Sequence, residues 1–184
     1  MSPRSWRGGF RLRRWALGAA VVLVAALVTP AIGELALYET TQSDDVVARA
    51  PHRYEKIPDA FQAPDGPLYI ERTAPKMRIN DRDIERIVVE ARTATATETG
   101  TIVAGEPYYA VTFVLRAGAA TALNAFLNTA GDQRFGLRFG RATLGVVRPF
   151  GPFEGGREFT YHTHSKKVEL EHAFSAVKDK VTWR

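Results

Sequence analysis

The chain contains no cysteine. It therefore has no disulfide framework, no thiol nucleophile and no thiolate ligand for a metal, and a domain exported on this sequence relies on its core. Serine is nearly as scarce, occurring only at Ser2, Ser5, Ser43, Ser165 and Ser175. No G-x-S-x-G elbow is present, and no serine is placed with an obvious His and Asp partner, so the spacing argues against a serine nucleophile. Acidic residues are missing before Glu34. No glycine-rich phosphate loop occurs, because GPFEGG lacks the following Lys-Ser/Thr and leads into a strand pattern. Apart from a short RFG echo in RFGLRFGRATLGVVRPF there is no internal repeat, which excludes a solenoid.

The missing acidic residues change how the basic balance is read. A pI near 9.7 and a formal charge of +5 usually suggest a polyanion partner. Arg4, Arg7, Arg11, Arg13 and Arg14 supply five of the 25 basic residues, which leaves 20 against 20 acidic residues after position 14. The body is neutral, and a nucleic-acid partner is excluded on this ground. Residues 15–33, WALGAAVVLVAALVTPAIG, carry no charge. At about 1.5 Å per helical residue they reach roughly 28 Å, close to a hydrocarbon core. The arginines before them are expected in the cytoplasm and everything after Glu34 outside. Ala31 and Gly33 also supply the small residues that a signal peptidase reads, so the leader is expected to be an anchor or a cleaved signal. Residues 34–66 contain TTQSDD, RAPHR and APDG without sustained periodicity, and read as a linker that lifts a 67–184 domain off the membrane.

Within 67–184, LYIER predicts a short strand. Ile84, Ile87, Val88 and Ala91 follow Asn80 and Asp81 at helical spacing and predict an amphipathic helix. The segment 92–105 stays open between a strand end and a loose hairpin. Tyr109, Val111, Phe113 and Leu115 alternate with small or apolar residues, as in a strand buried on both faces. Leu123, Phe126, Leu127 and Ala130 line a second helix stopped by Gly131. Phe135, Leu137 and Phe139 share one strand face, with Arg134 and Arg138 on the other, and Gly140-Arg141 turns the chain into Ala142, Leu144 and Val146. Residues 158–162 read as a strand, and Ser165 caps a last helix with Leu170, Ala173, Phe174 and Val177 buried. The order predicts an α+β domain, a mainly antiparallel sheet with about three helices packed on one face.

Several stretches in this order resemble the head subdomain of the first periplasmic region of SecD, the accessory subunit of the bacterial Sec translocase. They are INDRDIERI, YYAVTFVLRAGAATALNAFL, LRFGRATLGVVRPF, PFEGG and VELEHAFSAV, with Phe113, Leu115, Phe126 and Gly140-Arg141 at matching positions. SecD proteins carry several spans with acidic residues, whereas this chain has at most one span and no acidic residue in it, so a motor role does not carry over. The resemblance implies a non-catalytic head-like module that contacts an extended polypeptide or another envelope protein. Arg148 and, in the Pro/Gly-rich loop after it, Phe150 and Phe153 are the expected contact surface. No cofactor is expected. The alternative is a metal-binding or hydrolytic envelope enzyme, in which His162 and His164 of one strand and Glu169 and His172 of the following helix converge.

Overall fold

A computed structural model describes residues 33–57, 66–93, 105, 107–148 and 156–184. The leader at 1–32, most of the 94–106 segment and the loop holding Phe150 and Phe153 lie outside the described residues. Among the described residues ten strands form two sheets, and all pairings but one are antiparallel. The fold is therefore mixed α+β with mostly antiparallel strands. The expected single sheet with helices on one face is replaced by two sheets that share a core.

In the first sheet, β2 (Tyr54–Lys56), β3 (Tyr69–Glu71), β1 (Leu35–Thr41), β7 (Phe135–Phe139) and β8 (Ala142–Val147) run in that spatial order. Strand β4 (Met77–Ile79) extends β3 along the same side of β1. In the second sheet the order is β10 (Val181–Trp183), β5 (Ile84–Thr93), β6 (Pro107–Leu115) and β9 (Glu158–Thr163), with β10 parallel to β5. Leu37, Leu137 and Phe139 of the first sheet meet Ile87, Val111 and Phe113 of the second in one buried cluster. Phe113 is its centre: its ring stacks on Phe139 at 6.0 Å, Tyr161 at 6.1 Å and Phe159 at 6.4 Å, and meets Phe174 edge-on at 6.1 Å. Offset and edge-on pairs of this kind add about 0.5–1.5 kcal/mol each beyond area burial.

Helix α1 (Asp44–Arg49) is short and has no buried residue. Helix α2 (Ala117–Thr129) buries Ala120, Leu123 and Leu127 against the shared core. Helix α3 (Lys167–Ala173) buries Leu170 and continues through a 3-10 turn that carries Val177. A second cluster, Ala36, Tyr38, Ile57, Leu68 and Ile70, lies on the other face of the first sheet.

Two expectations are corrected. Residues 84–93 are a strand, not a helix, and Asp81–Asp83 is a 3-10 turn before it. A bulge between Ile84 and Arg86 puts Ile84 and Ile87 on the same buried face although they are three residues apart, which imitates helical spacing. The β-branched Ile87-Val88-Val89 run then suits a pleated, half-buried surface. Residues 34–66 are not a free linker either. Their first part is β1, an interior strand whose Leu35, Ala36, Leu37 and Tyr38 are all fully buried, and it pairs with β7 along five residues.

Candidate functional site

The site grows out of the β7–β8 hairpin. Gly140, at φ +54, and Arg141 make the turn, and the Gly140 N–H donates to the Glu34 carbonyl at 2.8 Å. Pairing then slips between Leu137–Gly145 and Arg138–Thr143, leaving Leu144 as the extra residue of a bulge. Among the described strands β8 pairs on one side only, with β7. The Leu144 carbonyl, freed from the ladder, accepts a hydrogen bond from the buried Thr163 hydroxyl at 3.1 Å. This bond ties the edge of the first sheet to the edge strand of the second.

Beyond that tie the edges part around a cleft of about 460 Å³. One bank is the hairpin turn and β8, with Arg141, Thr143 and Leu144. The opposite bank is the turn into α3, with His164, Ser165 and Lys166, and then Glu169 and Leu170. Leu144 and Leu170 are core residues and make the floor apolar, while the rim carries both signs of charge. His164 Nε2 is buried here with no hydrogen-bond partner among the described residues.

Glu55 lines the same cleft and reaches Arg138 at 3.6 Å. Arg138 lies on the face opposite Leu137, as the alternation implies, but the second cluster covers that face and its side chain is only 12% exposed. Its guanidinium sits 5.8 Å from the Tyr38 ring centroid and donates to the Arg141 carbonyl at 3.0 Å. A cation over an aromatic face at that distance contributes about 0.5–2 kcal/mol when desolvated. Burial pushes the Tyr38 hydroxyl above its ordinary pKa, although Arg138 and Arg78 pull it down. Tyr161, wholly buried in the core with a hydroxyl that has no partner among the described residues, is pushed well above its ordinary value by burial alone.

The four proposed metal ligands do not converge. His162 pairs with Ala110 and meets the Tyr108 ring edge-on at 5.2 Å, on the sheet face away from the core that Tyr161 enters. His164 and Glu169 border the cleft, and Glu169 is engaged by the Lys166 backbone N–H at 2.8 Å. His172 sits exposed on α3 and does not line the cleft. Among the described residues no three His, Asp or Glu side chains are grouped to hold a metal ion. The reason is geometric: the chain turns after Thr163, so the period-2 alternation that would align His162 with His164 ends between them.

Ser165 is also occupied. Its backbone N–H donates to the Thr163 hydroxyl at 3.1 Å, and the two hydroxyls lie 3.0 Å apart. The helix cap falls one residue later than expected, at Lys166. Arg148 stands at the far end of β8, exposed, 3.8 Å from Asp132, and borders a separate hollow with Thr40, Thr41 and Arg134. It is not part of the cleft. No sequence spacing announced the cleft, since Glu55, 141–144 and 164–170 meet only through the fold.

The chain matches no known protein-family model, and neither a curated protein nor a solved structure shows significant similarity to it.

Proposed function

We propose that the chain is a membrane-tethered bacterial envelope protein, with its N-terminus cytoplasmic and its body in the periplasm. Its non-catalytic, SecD-head-like domain binds an extended polypeptide of a protein partner and is linked to protein export. The anchor and its orientation rest on the leader's arginines and uncharged stretch. The binding mode rests on one observation: among the described strands β8 has an unpaired edge, along a cleft with an apolar floor and a mixed-charge rim.

An added strand takes main-chain hydrogen bonds from such an edge, which gives affinity with little demand on sequence, while pockets for alternate side chains give what selectivity there is. Leu144 and Leu170 suit one apolar side chain, and Arg141, Lys166 and Glu169 tolerate polar neighbours of either sign. Hydrolysis needs a nucleophile with its base in reach. Here the Ser165 hydroxyl lies within hydrogen-bonding distance of Thr163, and Glu169 serves the α3 cap. The resemblance to the SecD head adds the expectation that the partner is a chain in transit or an envelope component.

The test is hydrogen exchange of the full chain in detergent, with and without a reduced, alkylated polypeptide that stays unfolded. Exchange in Ala142–Val147 should slow by about tenfold, equivalent to roughly 1.4 kcal/mol of added protection, with the added polypeptide left uncut. Protection confined to another edge, such as β10, or cleavage of the polypeptide, contradicts the proposal.

A further inference from the structure

The body enters its fold without slack. Gly33 is buried at φ +86, and a Cβ there would lie 3.1 Å from both Asp81 Cβ and Val177 Cγ1. Glu34 follows, its side chain 4% exposed and bonded to Arg78 at 3.0 and 3.3 Å. Its carbonyl is held by Gly140, and β1 begins at the next residue. A membrane span that ends at Gly33 therefore passes straight into an interior strand.

Three turns surround that entry, with Asp81 and Arg82 exposed before β5, Arg141 exposed after Gly140 between β7 and β8, and Lys178 exposed on the 3-10 turn that buries Val177. Their charges nearly cancel, with Arg82, Arg141, Lys178 and Lys180 against Asp81, Asp83 and Asp179. Chain length, not charge, fixes what this end meets. The opposite end is reached along β1 after six residue steps, about 20 Å at roughly 3.3 Å per step. The cleft starts at Arg141, beside the Gly33 end, and by the same measure its β8 bank extends only about 10 Å from it.

We infer that the body sits directly on the bilayer through its Gly33 end, so that the cleft opens at the membrane surface and receives the membrane-proximal segment of an integral membrane protein. This rests on the anchored, polypeptide-binding reading above and narrows its partner class. A segment anchored in the same bilayer is confined near this end of the body, which raises its effective concentration at the cleft over that of a soluble peptide.

The absence of cysteine allows a single dye to be placed at Arg141→Cys or, at the far end, at Asp132→Cys, whose native side chain is 86% exposed. The full chain is reconstituted in vesicles of phosphatidylethanolamine and phosphatidylglycerol that carry a headgroup energy-transfer acceptor. Quenching at position 141 should exceed that at 132 several-fold, and a 20-residue Gly/Ser insert before Gly33, spanning about 25 Å on average, should erase most of the difference. Equal or reversed quenching in the native chain overturns the seating while leaving the cleft's binding role intact. A chain that does not co-float with vesicles overturns the anchor and the seating together. For the partner class, a photo-crosslinker at Thr143 in cells should yield an adduct that stays in the membrane after alkaline carbonate extraction. An adduct released by carbonate contradicts the integral-membrane partner but not the binding of polypeptide.

Discussion

Gly136→Ala adds one methyl group at the tightest point of the first sheet. Gly136 lies opposite Tyr38 on β1 and Val146 on β8, and a Cβ there would strike Ile70 Cδ1 and stand 2.8 Å from its Cγ1 and 3.4 Å from its Cβ. Carbon atoms settle at about 3.5–4.0 Å, so the Ile70 tip must retreat by about 1 Å. Ile70 is fully buried among Ala36, Tyr38, Ile57 and Leu68, which leaves it little room to turn. Overpacking of this kind costs about 1–3 kcal/mol, and for a body near 150 residues each kcal/mol lowers Tm by about 2–4 °C. Ile70→Ala alone leaves a cavity and costs about 2–5 kcal/mol. The two changes relieve each other, because Ile70→Ala removes the atoms that the methyl group at position 136 strikes, and that methyl group fills part of the cavity. Urea unfolding followed by far-UV circular dichroism on the four members of the cycle reads the coupling. The double variant should be more stable than the sum of the single losses by about 1–3 kcal/mol, with unchanged m-values. Additivity within about 0.5 kcal/mol, or a neutral Gly136→Ala, refutes the packing of the second cluster as described.

Two further predictions concern the body. Burial alone would raise the Glu71 carboxyl, but hydrogen bonds from Arg53 and Thr73 and the charges of Arg53 and Lys76 outweigh it, so it titrates below its ordinary 4.5. The sign follows: its contribution is present above the unfolded value and is lost as pH falls through the lower folded value. Urea midpoints measured from pH 7 down to pH 3 should therefore fall less steeply below about pH 5 in Glu71→Gln than in the native chain, and parallel curves contradict the pairing. Phe113→Ala should cost about 3–5 kcal/mol, more than the same change at Phe126, because it removes four ring contacts at once. Differential unfolding of the two variants by circular dichroism checks the order.

Where the sequence succeeds, one periodicity and one burial pattern coincide. Strand β6, the β7–β8 hairpin, β9 and helix α2 each bury a set of residues at the spacing of their own geometry, and their limits fall near Gly131 and Gly140, where the chain must turn. Strand β5 misleads because its bulge shifts Ile84 onto the face of Ile87. Strand β1 hides for a different reason: LALY is buried on both faces, so it has no alternation, and it follows an apolar leader that masks its start. Strands β2, β4 and β10 are three residues each and exist only because a neighbour supplies the ladder. The same limit governs the site. His164 and Glu169 read as metal ligands in the sequence but border the cleft, because only the fold brings Glu55 and the hairpin to them. Arg138 reads as a solvated residue until the second cluster is seen to cover it.

The central claim is that an extended polypeptide occupies the cleft at the β8 edge. A photo-crosslinker at Thr143, on the cleft bank, compared in cells with one at Thr112, on the outer face of the second sheet, tests it most directly. The account predicts a polypeptide adduct at Thr143 that Ala142→Arg, at a half-buried position of the same bank, abolishes, with Thr112 silent and the Ala142→Arg body still folded by circular dichroism. Equal adducts at both positions, or an adduct at Thr143 that survives Ala142→Arg in a folded body, contradict it.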